Sequence, residues 1–286
     1  MITAENLKLK VKTEARNHNS QPQDIMQMYF FERLLYRISI SKYKHNFILK
    51  GGLLLSAIFS DRRRTTQDMD TMIKGIDLNF EAIKKIIDEI VNVDIDDDIR
   101  FEVTKYKDIR EQDKYGGIKV YLIGHKEHLQ VPLSIDISIN DPITPRELEF
   151  RYKSIFNDSY IKIMAYNIET IIAEKFETFI TDNIQNTRLK DFYDIYMLMS
   201  NHSEEIDNKI LIKAIKNTFK RRETIFDINN IIASFEMVKT SDELKNRYQR
   251  FQKANLYSNN ISYENIMDAI SKIVELLEQE TAVSFK

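Results

Sequence analysis

The stretch FILKGGLLLSAIFSDRRRTTQDMDTMI, residues 47–73, decides how this chain folds. Its apolar triplet Phe47–Leu49 predicts a short strand, Gly51 and Gly52 follow, and residues 53–59 predict an apolar helix. Glycines at such a junction let a phosphate approach backbone N–H groups at a helix N-terminus, because no Cβ stands in the way. A tight strand-to-helix turn without a ligand is the alternative. This stretch therefore predicts α/β structure and leaves a phosphate site open.

Three aspartates lie on predicted strands in and after this stretch. Residues 69–73 predict a strand, and its period of two places Asp68 and Asp70 on one face. Asp136 lies on the polar face of LSIDISI, residues 133–139, whose aliphatic side chains share the other face. Adjacent carboxylates repel unless a cation lies between them, and Mg²⁺ prefers octahedral oxygen ligation. The three aspartates therefore predict a Mg²⁺ site that Mn²⁺ would also fit. A solvated strand edge is the alternative for the D-x-D pair.

Composition narrows the chemistry. The 286 residues include no cysteine and five histidines, which excludes disulfides, Cys-zinc sites and thiol nucleophiles. The formal net charge is −2, so nucleic-acid binding would need a local basic patch. No run of about 18 apolar residues occurs, and we expect a cytoplasmic protein with no membrane segment.

Periodicity divides the chain into two halves, since strand signals fade after about residue 165. Strands are predicted near 101–107 and 118–123, with a turn at 114–117 between them. Helices are predicted near 24–39, 80–91, 168–181, 188–200, 206–221, 241–255 and 262–279. We therefore predict an α+β protein: an α/β lobe over 1–160, with a mixed sheet and flanking helices, and a helical lobe over 161–286, the two forming a cleft.

A second set of charged residues lies in the helical half. Lys175 projects from the apolar face of its predicted helix, where it either snorkels past the lobe edge or points towards an anion. In the next predicted helix, Arg188 and Asp191 lie on or beside the apolar face, and Asp194 is predicted to point to the opposite side. A buried ion pair is the alternative for Arg188 and Asp191.

One region has the charge of a nucleic-acid surface. Residues 209–253 contain eleven Lys or Arg against five acids. Cations mixed with aromatics predict contacts to RNA phosphates and bases, and a solvated helix face is the alternative. The candidate RNA-binding residues are Lys220, Arg221, Arg222, Arg247 and Arg250.

Two other polar clusters predict no site. The acidic run at 94–98 is predicted to be a solvated loop, and His125 and His128 are predicted to lie in a surface turn.

Two blocks of this chain, taken together, resemble the nucleotidyltransferase toxins of the AbiEii/AbiGii type. These toxins are relatives of the MenT toxins within the DNA polymerase β-like superfamily. The first block is Lys50-Gly51-Gly52 followed by Arg64-x-Thr66-x-Asp68-x-Asp70. The second is Ala173-Glu174-Lys175 followed by Arg188-x-Lys190-Asp191-x-x-Asp194.

The resemblance implies a polymerase β-like N-terminal lobe that uses an NTP and two Mg²⁺ ions to modify an acceptor, among relatives the tRNA acceptor end. It implies nucleotide-binding roles for Gly51, Gly52, Arg64, Thr66, Lys175 and Arg188. Lys175 would grip the triphosphate, and Asp191 would orient Lys175 or contact the acceptor. The resemblance also implies a toxin of a toxin–antitoxin or abortive-infection pair used in phage defence, with a winged-helix repressor as antitoxin.

Three alternatives stay open. A small-molecule nucleotidyltransferase of the antibiotic-modifying kind would use the same carboxylates without needing the basic region. A protein-modifying or phosphotransfer enzyme is a second alternative, because the catalytic core does not dictate the acceptor. The third is a non-enzymatic RNA- or protein-binding module on the same fold.

Overall fold

A computed structural model describes residues 2–61, 63–76, 80–108, 117–139 and 141–284. The predicted turn at 114–117 lies, except for Gly117, outside the described residues. The chain divides into two compact units. Met1–Asp141 and Glu147–Tyr166 form the sheet unit, and Pro142–Arg146 and Asn167–Lys286 form the helical unit.

The sheet unit combines helices and strands. Its helices are α1 (Ala4–Asn17), α2 (Pro22–Ile40), α3 (Gly51–Phe59) and α4 (Phe80–Val91). Its strands are β1 (Phe47–Leu49), β2 (Met69–Ile73), β3 (Arg100–Asp108), β4 (Gly117–Lys126), β5 (Leu129–Ile139), β6 (Leu148–Lys153) and β7 (Tyr160–Ala165).

The seven strands form one mixed sheet in the order β3-β4-β5-β2-β1-β7-β6. β2 runs parallel to β5 and antiparallel to β1, which in turn runs parallel to β7. Helix α2 contacts both β5 and β7, and its Phe30, Phe31 and Leu34 are fully buried. The predicted mixed sheet with flanking helices is confirmed.

The alternation of β5 explains why one of its faces carries chemistry. Leu133, Ile135 and Ile137 are buried, whereas Ser134 and Asp136 between them are only half-buried. Burial of the aliphatic face fixes the strand's register, since a slip of one residue would exchange its two faces. The predicted assignment of faces is therefore confirmed, and Asp136 lies on the polar one.

The helical unit consists, among its described residues, of α-helices joined by short turns and 3₁₀ segments. The α-helices are α5 (Ile168–Asp182), α6 (Leu189–Asn201), α7 (Asn208–Arg221), α8 (Ile228–Lys239), α9 (Asp242–Ala254) and α10 (Tyr263–Ser284). Side-chain oxygens of Asn167, Asp207, Asp227 and Ser241 cap four of them at their N-termini. No helix within the described ranges has both the length and the apolar character needed to cross a membrane.

Several elements differ from the sequence prediction. Helices α1 and α8 and strands β6 and β7 were not predicted, and β7 crosses the expected lobe boundary at residue 160. Helix α3 begins at Gly51 rather than at residue 53. Strand β6 was missed because it is a short edge strand that exposes most of its residues.

Candidate active site

Three carboxylates meet at β2 and β5. The parallel register places Asp70 directly beside Asp136, and Asp68 immediately precedes β2. All three side chains are half-buried, and each offers an oxygen that lies within 4.8 Å of the others. Oxygens at such separations can hold a divalent cation, which would offset the repulsion among three like charges. The structure thus brings together the three aspartates that the sequence singled out.

Gly51 and Gly52 make room for two of the polar side chains at this site. Gly51 has φ +65°, and a Cβ there would collide with the Asp70 carboxylate. A Cβ on Gly52 would lie 2.7 Å from Thr66 Oγ1. The backbone N–H of Gly52 donates to Asp70 Oδ2 at 3.3 Å. The glycines therefore allow close approach of the backbone to side chains, and the group that approaches is Asp70.

Thr66 and Arg64 lie on the same side as Gly52. The Thr66 hydroxyl donates to Asp68 Oδ1 at 3.0 Å, which orients that carboxylate. Arg64 is buried, and its Nη1 donates to the Thr65 carbonyl at 3.2 Å. Both side chains are therefore buried next to Gly52 rather than exposed on a loop.

Lys119 is a member of this cluster that the sequence analysis missed. It lies on β4 directly opposite Asp136. Its Nζ lies 2.8 Å from Asp136 Oδ1 and 3.7 Å from Asp68 Oδ2. The available signal was the tight hairpin at Glu127–His128: counting back from that turn along both strands pairs residue 119 with residue 136.

The surroundings shift the acid–base behaviour of both kinds of group. Burial raises the pKa of Asp70 to about 6; the Asp68 charge adds to this, and the Lys50 ammonium and the Gly52 N–H oppose it. For Lys119, desolvation favours the neutral amine, but the hydrogen bond to Asp136 and the charges of Asp136 and Asp68 outweigh it, so its pKa is raised. Lys119 therefore stays charged, whereas Asp70 releases its proton only near neutral pH.

Lys175 forms an ionic cluster inside the helical unit. Its ammonium is hydrogen-bonded to Asp191 Oδ1 and lies 2.9 Å from Asp194 Oδ2. The prediction that Asp194 points away from this face is wrong: Asp194 is fully buried against Lys175. Positions three apart on a helix are neighbours, so Asp191 and Asp194 reach the same ammonium.

Arg188 occupies the N-cap position of α6 and is exposed. Its backbone N–H donates to Asn186 Oδ1 at 2.7 Å. The alternative of a buried ion pair is therefore wrong for Arg188.

The basic region is less uniform than its composition suggested. Arg222 Nη1 lies 2.6 Å from the buried Glu177 carboxylate and 2.9 Å from Thr178 Oγ1. Tyr248 is fully buried, and its ring stacks on Phe251. Tyr248 is therefore part of the helical core, and the half-buried Arg222 is paired with a buried carboxylate.

The other predicted RNA-binding cations lie nearer the surface. Lys220 and Arg250 are exposed, and Arg221 is half-buried. Arg247 is half-buried and pairs with Glu243 at 2.5 Å.

The two clusters without a predicted site also differ from expectation. Asp97 accepts two hydrogen bonds of 3.0 Å from the buried Arg37, so the predicted solvated loop is wrong at this residue. His125 belongs to β4, where its Nε2 lies 3.1 Å from Glu102, and His128 lies in the turn that follows.

Comparison with known proteins gives one family and several remote structures. A family described as "Nucleotidyl transferase AbiEii toxin, Type IV TA system" matches residues 33–269. None of the curated proteins matches the chain.

Among solved structures, JHP933 from Helicobacter pylori is 13% identical, with 92% of this chain and 97% of that chain covered and a TM-score of 0.46. An antigenic nucleotidyltransferase-like protein from Paracoccidioides brasiliensis is 12% identical, with 94% of each chain covered and a TM-score of 0.32.

Proposed function

The chain belongs to the AbiEii nucleotidyl transferase toxin family, and we propose that it transfers a nucleotide from an NTP to the acceptor end of tRNA. The observation that supports this most directly is the cluster of Asp68, Asp70 and Asp136, whose oxygens lie within 4.8 Å of one another. In this proposal the cluster holds Mg²⁺, with Mn²⁺ as a substitute, because both ions prefer oxygen ligands.

The residues around the carboxylates would prepare the site before substrate arrives. The Thr66 hydroxyl fixes Asp68, and the Gly52 N–H fixes Asp70. Bound Mg²⁺ would neutralise charge on the triphosphate and activate the attacking hydroxyl. Asp136 would accept the proton of that hydroxyl. Preorganisation of this kind avoids rearranging the site during the reaction.

We also propose phosphate-binding roles for further residues, and these rest on the family resemblance. Gly51 and Gly52 would offer backbone N–H groups, and Arg64, Thr66 and Arg188 would contact the nucleotide. Lys175 would neutralise the charge that develops on the leaving pyrophosphate. Asp191 and Asp194 would hold the Lys175 ammonium in position for this role.

The proposed partners follow from the family and the substrates. A toxin of this family has an antitoxin, for which we propose a winged-helix repressor. NTP and tRNA are cytoplasmic, so we propose that the reaction takes place there. The proposed RNA contacts are Lys220, Arg221, Arg247 and Arg250. Arg222 is not among them, because it pairs with Glu177.

The decisive experiment incubates the protein with each labelled NTP in turn, total tRNA and Mg²⁺. We expect label to enter tRNA with one or more NTPs, and chelation by EDTA to stop it. Asp70→Asn should transfer none. Label that enters a small molecule instead of RNA would favour the antibiotic-modifying alternative, and no transfer to any acceptor would favour a binding module.

A further inference from the structure

Lys119 is placed by the sheet itself inside the carboxylate cluster. β4 and β5 pair antiparallel, and the register sets Lys119 opposite Asp136 so that both side chains emerge on the same face. Its ammonium lies 2.8 Å from Asp136 Oδ1 and 2.9 Å from Asp136 Oδ2. The same ammonium lies 3.7 Å from Asp68 Oδ2. One cation thus lies against two of the three carboxylates.

The cluster has two sides with different neighbours. On one side, Asp70 accepts the Gly52 N–H and lies beside the strand-to-helix turn. On the other side, Asp136 and Asp68 share the Lys119 ammonium. An ammonium is a compact point charge, and here it is tethered, so it needs no binding from solution. Two positive charges can therefore be placed in the cluster with only one of them a metal ion.

We propose that the Lys119 ammonium takes the place of the second divalent cation, so that the chain works with one metal ion on the Asp70 side. This inference rests on the proposed function and replaces the two-ion arrangement that the family resemblance implies. Lys119 then acts as a positioning residue: it fixes the Asp136 carboxylate and offsets the negative charge that the missing ion would have offset.

The alternative is that Lys119 is only a surface ion pair that a second metal ion displaces. Exposed pairs are weak and are readily exchanged. The two readings differ in the number of metal ions bound, which can be counted.

The test counts Mn²⁺ ions in complexes of the full chain with the α,β-methylene analogues of the four NTPs, by native mass spectrometry. We expect one Mn²⁺ per protein–nucleotide complex for the wild type and two for Lys119→Met. Methionine keeps the apolar stem of the side chain and removes only the charge. Wild-type complexes with two Mn²⁺, or Lys119→Met complexes with one, would overturn the proposal.

Two further variants separate the possible causes of a change. Lys105→Met removes an exposed lysine from the neighbouring strand β3 and should bind as many ions as the wild type. Asp70→Asn should lose the ion on its side of the cluster. If Asp70→Asn binds Mn²⁺ as the wild type does, the proposed function fails and the inference fails with it. If Asp70→Asn loses Mn²⁺ while Lys119→Met matches the wild type, the inference alone fails.

Discussion

Two lysines in this molecule each lie between two aspartates, and they differ in burial. Lys119 contacts Asp136 and Asp68 with 23% of its side chain exposed, whereas Lys175 contacts Asp191 and Asp194 with 13% exposed.

The carboxylates differ more: Asp194 is fully buried, but Asp68 exposes 36% of its side chain. A third carboxylate, Asp70, adjoins the Lys119 cluster. In the Lys175 cluster one ammonium balances two carboxylates, whereas the Lys119 cluster keeps a third carboxylate whose negative charge a cation can use.

The largest effect is expected at the surplus carboxylate. Asp70→Asn should lower nucleotidyl transfer by about 10³-fold or more, because it removes a ligand from the proposed metal site. The fold should survive, since one of three repelling charges is lost. Turnover with labelled NTP and thermal melting measure the two effects. If Asp70→Asn keeps wild-type turnover, the third carboxylate does not give the Lys119 cluster a catalytic role.

The next effect concerns stability and separates the two lysines directly. Lys175→Met should lower the free energy of unfolding by about 3 to 5 kcal/mol, because it leaves Asp194 buried without its cation. Lys119→Met should change it by less than about 1 kcal/mol, because water reaches its partners. Urea denaturation of both variants measures the contrast.

Lys175→Arg is the matched control, because arginine keeps the positive charge of lysine but replaces its compact ammonium with a planar guanidinium. It should recover part of the stability, but turnover should stay about 10²-fold low if one compact ammonium contacts phosphate. Full turnover in Lys175→Arg would mean that the cluster only holds α5 to α6.

The acidic site should also respond to pH. Asp70 has a pKa of about 6 in the folded, metal-free chain, against an ordinary value of 3.8. Its protonated form is favoured by folding, so the free energy of unfolding should fall as pH rises from about 4 to 6. Metal binding needs the carboxylate, so Mn²⁺ affinity should fall about tenfold per unit below pH 6. Calorimetric titration at pH 5 and 7 tests this, and Asp70→Asn should lack both dependences.

The smallest effects are expected in the basic region. Lys220→Gln and Arg250→Gln should each reduce the slope of log binding constant against log salt concentration for tRNA by about one unit. The reason is that a phosphate the protein no longer contacts keeps its counterions when tRNA binds. Arg222→Gln should instead lower the melting temperature, because Glu177 would stay buried without its cation. Filter binding between about 50 and 200 mM salt, with melting curves, distinguishes them. Equal melting temperatures for all three variants would contradict the structural role assigned to the Arg222–Glu177 ion pair.

These regions also show which residues a sequence can place. The sequence could place Asp68, Asp70 and Asp136 because side chains in a strand alternate between its two faces. In β5 the aliphatic side chains occupy the buried face, so Asp136 must lie on the other one. Lys119 was missed because its position depends on pairing across a hairpin, which periodicity along one strand does not specify.

Reasoning from sequence periodicity is less reliable for helices than for strands. A helical wheel separates successive residues by 100°, so a wide apolar face does not specify on which side of the helix Asp194 lies. In the structure Asp194 lies on the side that contacts the Lys175 ammonium. Arg222, predicted to contact RNA, is instead half-buried and paired with the buried Glu177 carboxylate.

The left-handed backbone at Gly51 has a consequence for genetics. Any other side chain there would meet the Asp70 carboxylate and strain the backbone at once. If the chain arrests growth, survivors of its expression should therefore carry missense codons at position 51 as often as at the aspartates. Such alleles would still produce full-length protein. They would show that a single substitution in this turn abolishes toxicity without preventing synthesis of the protein.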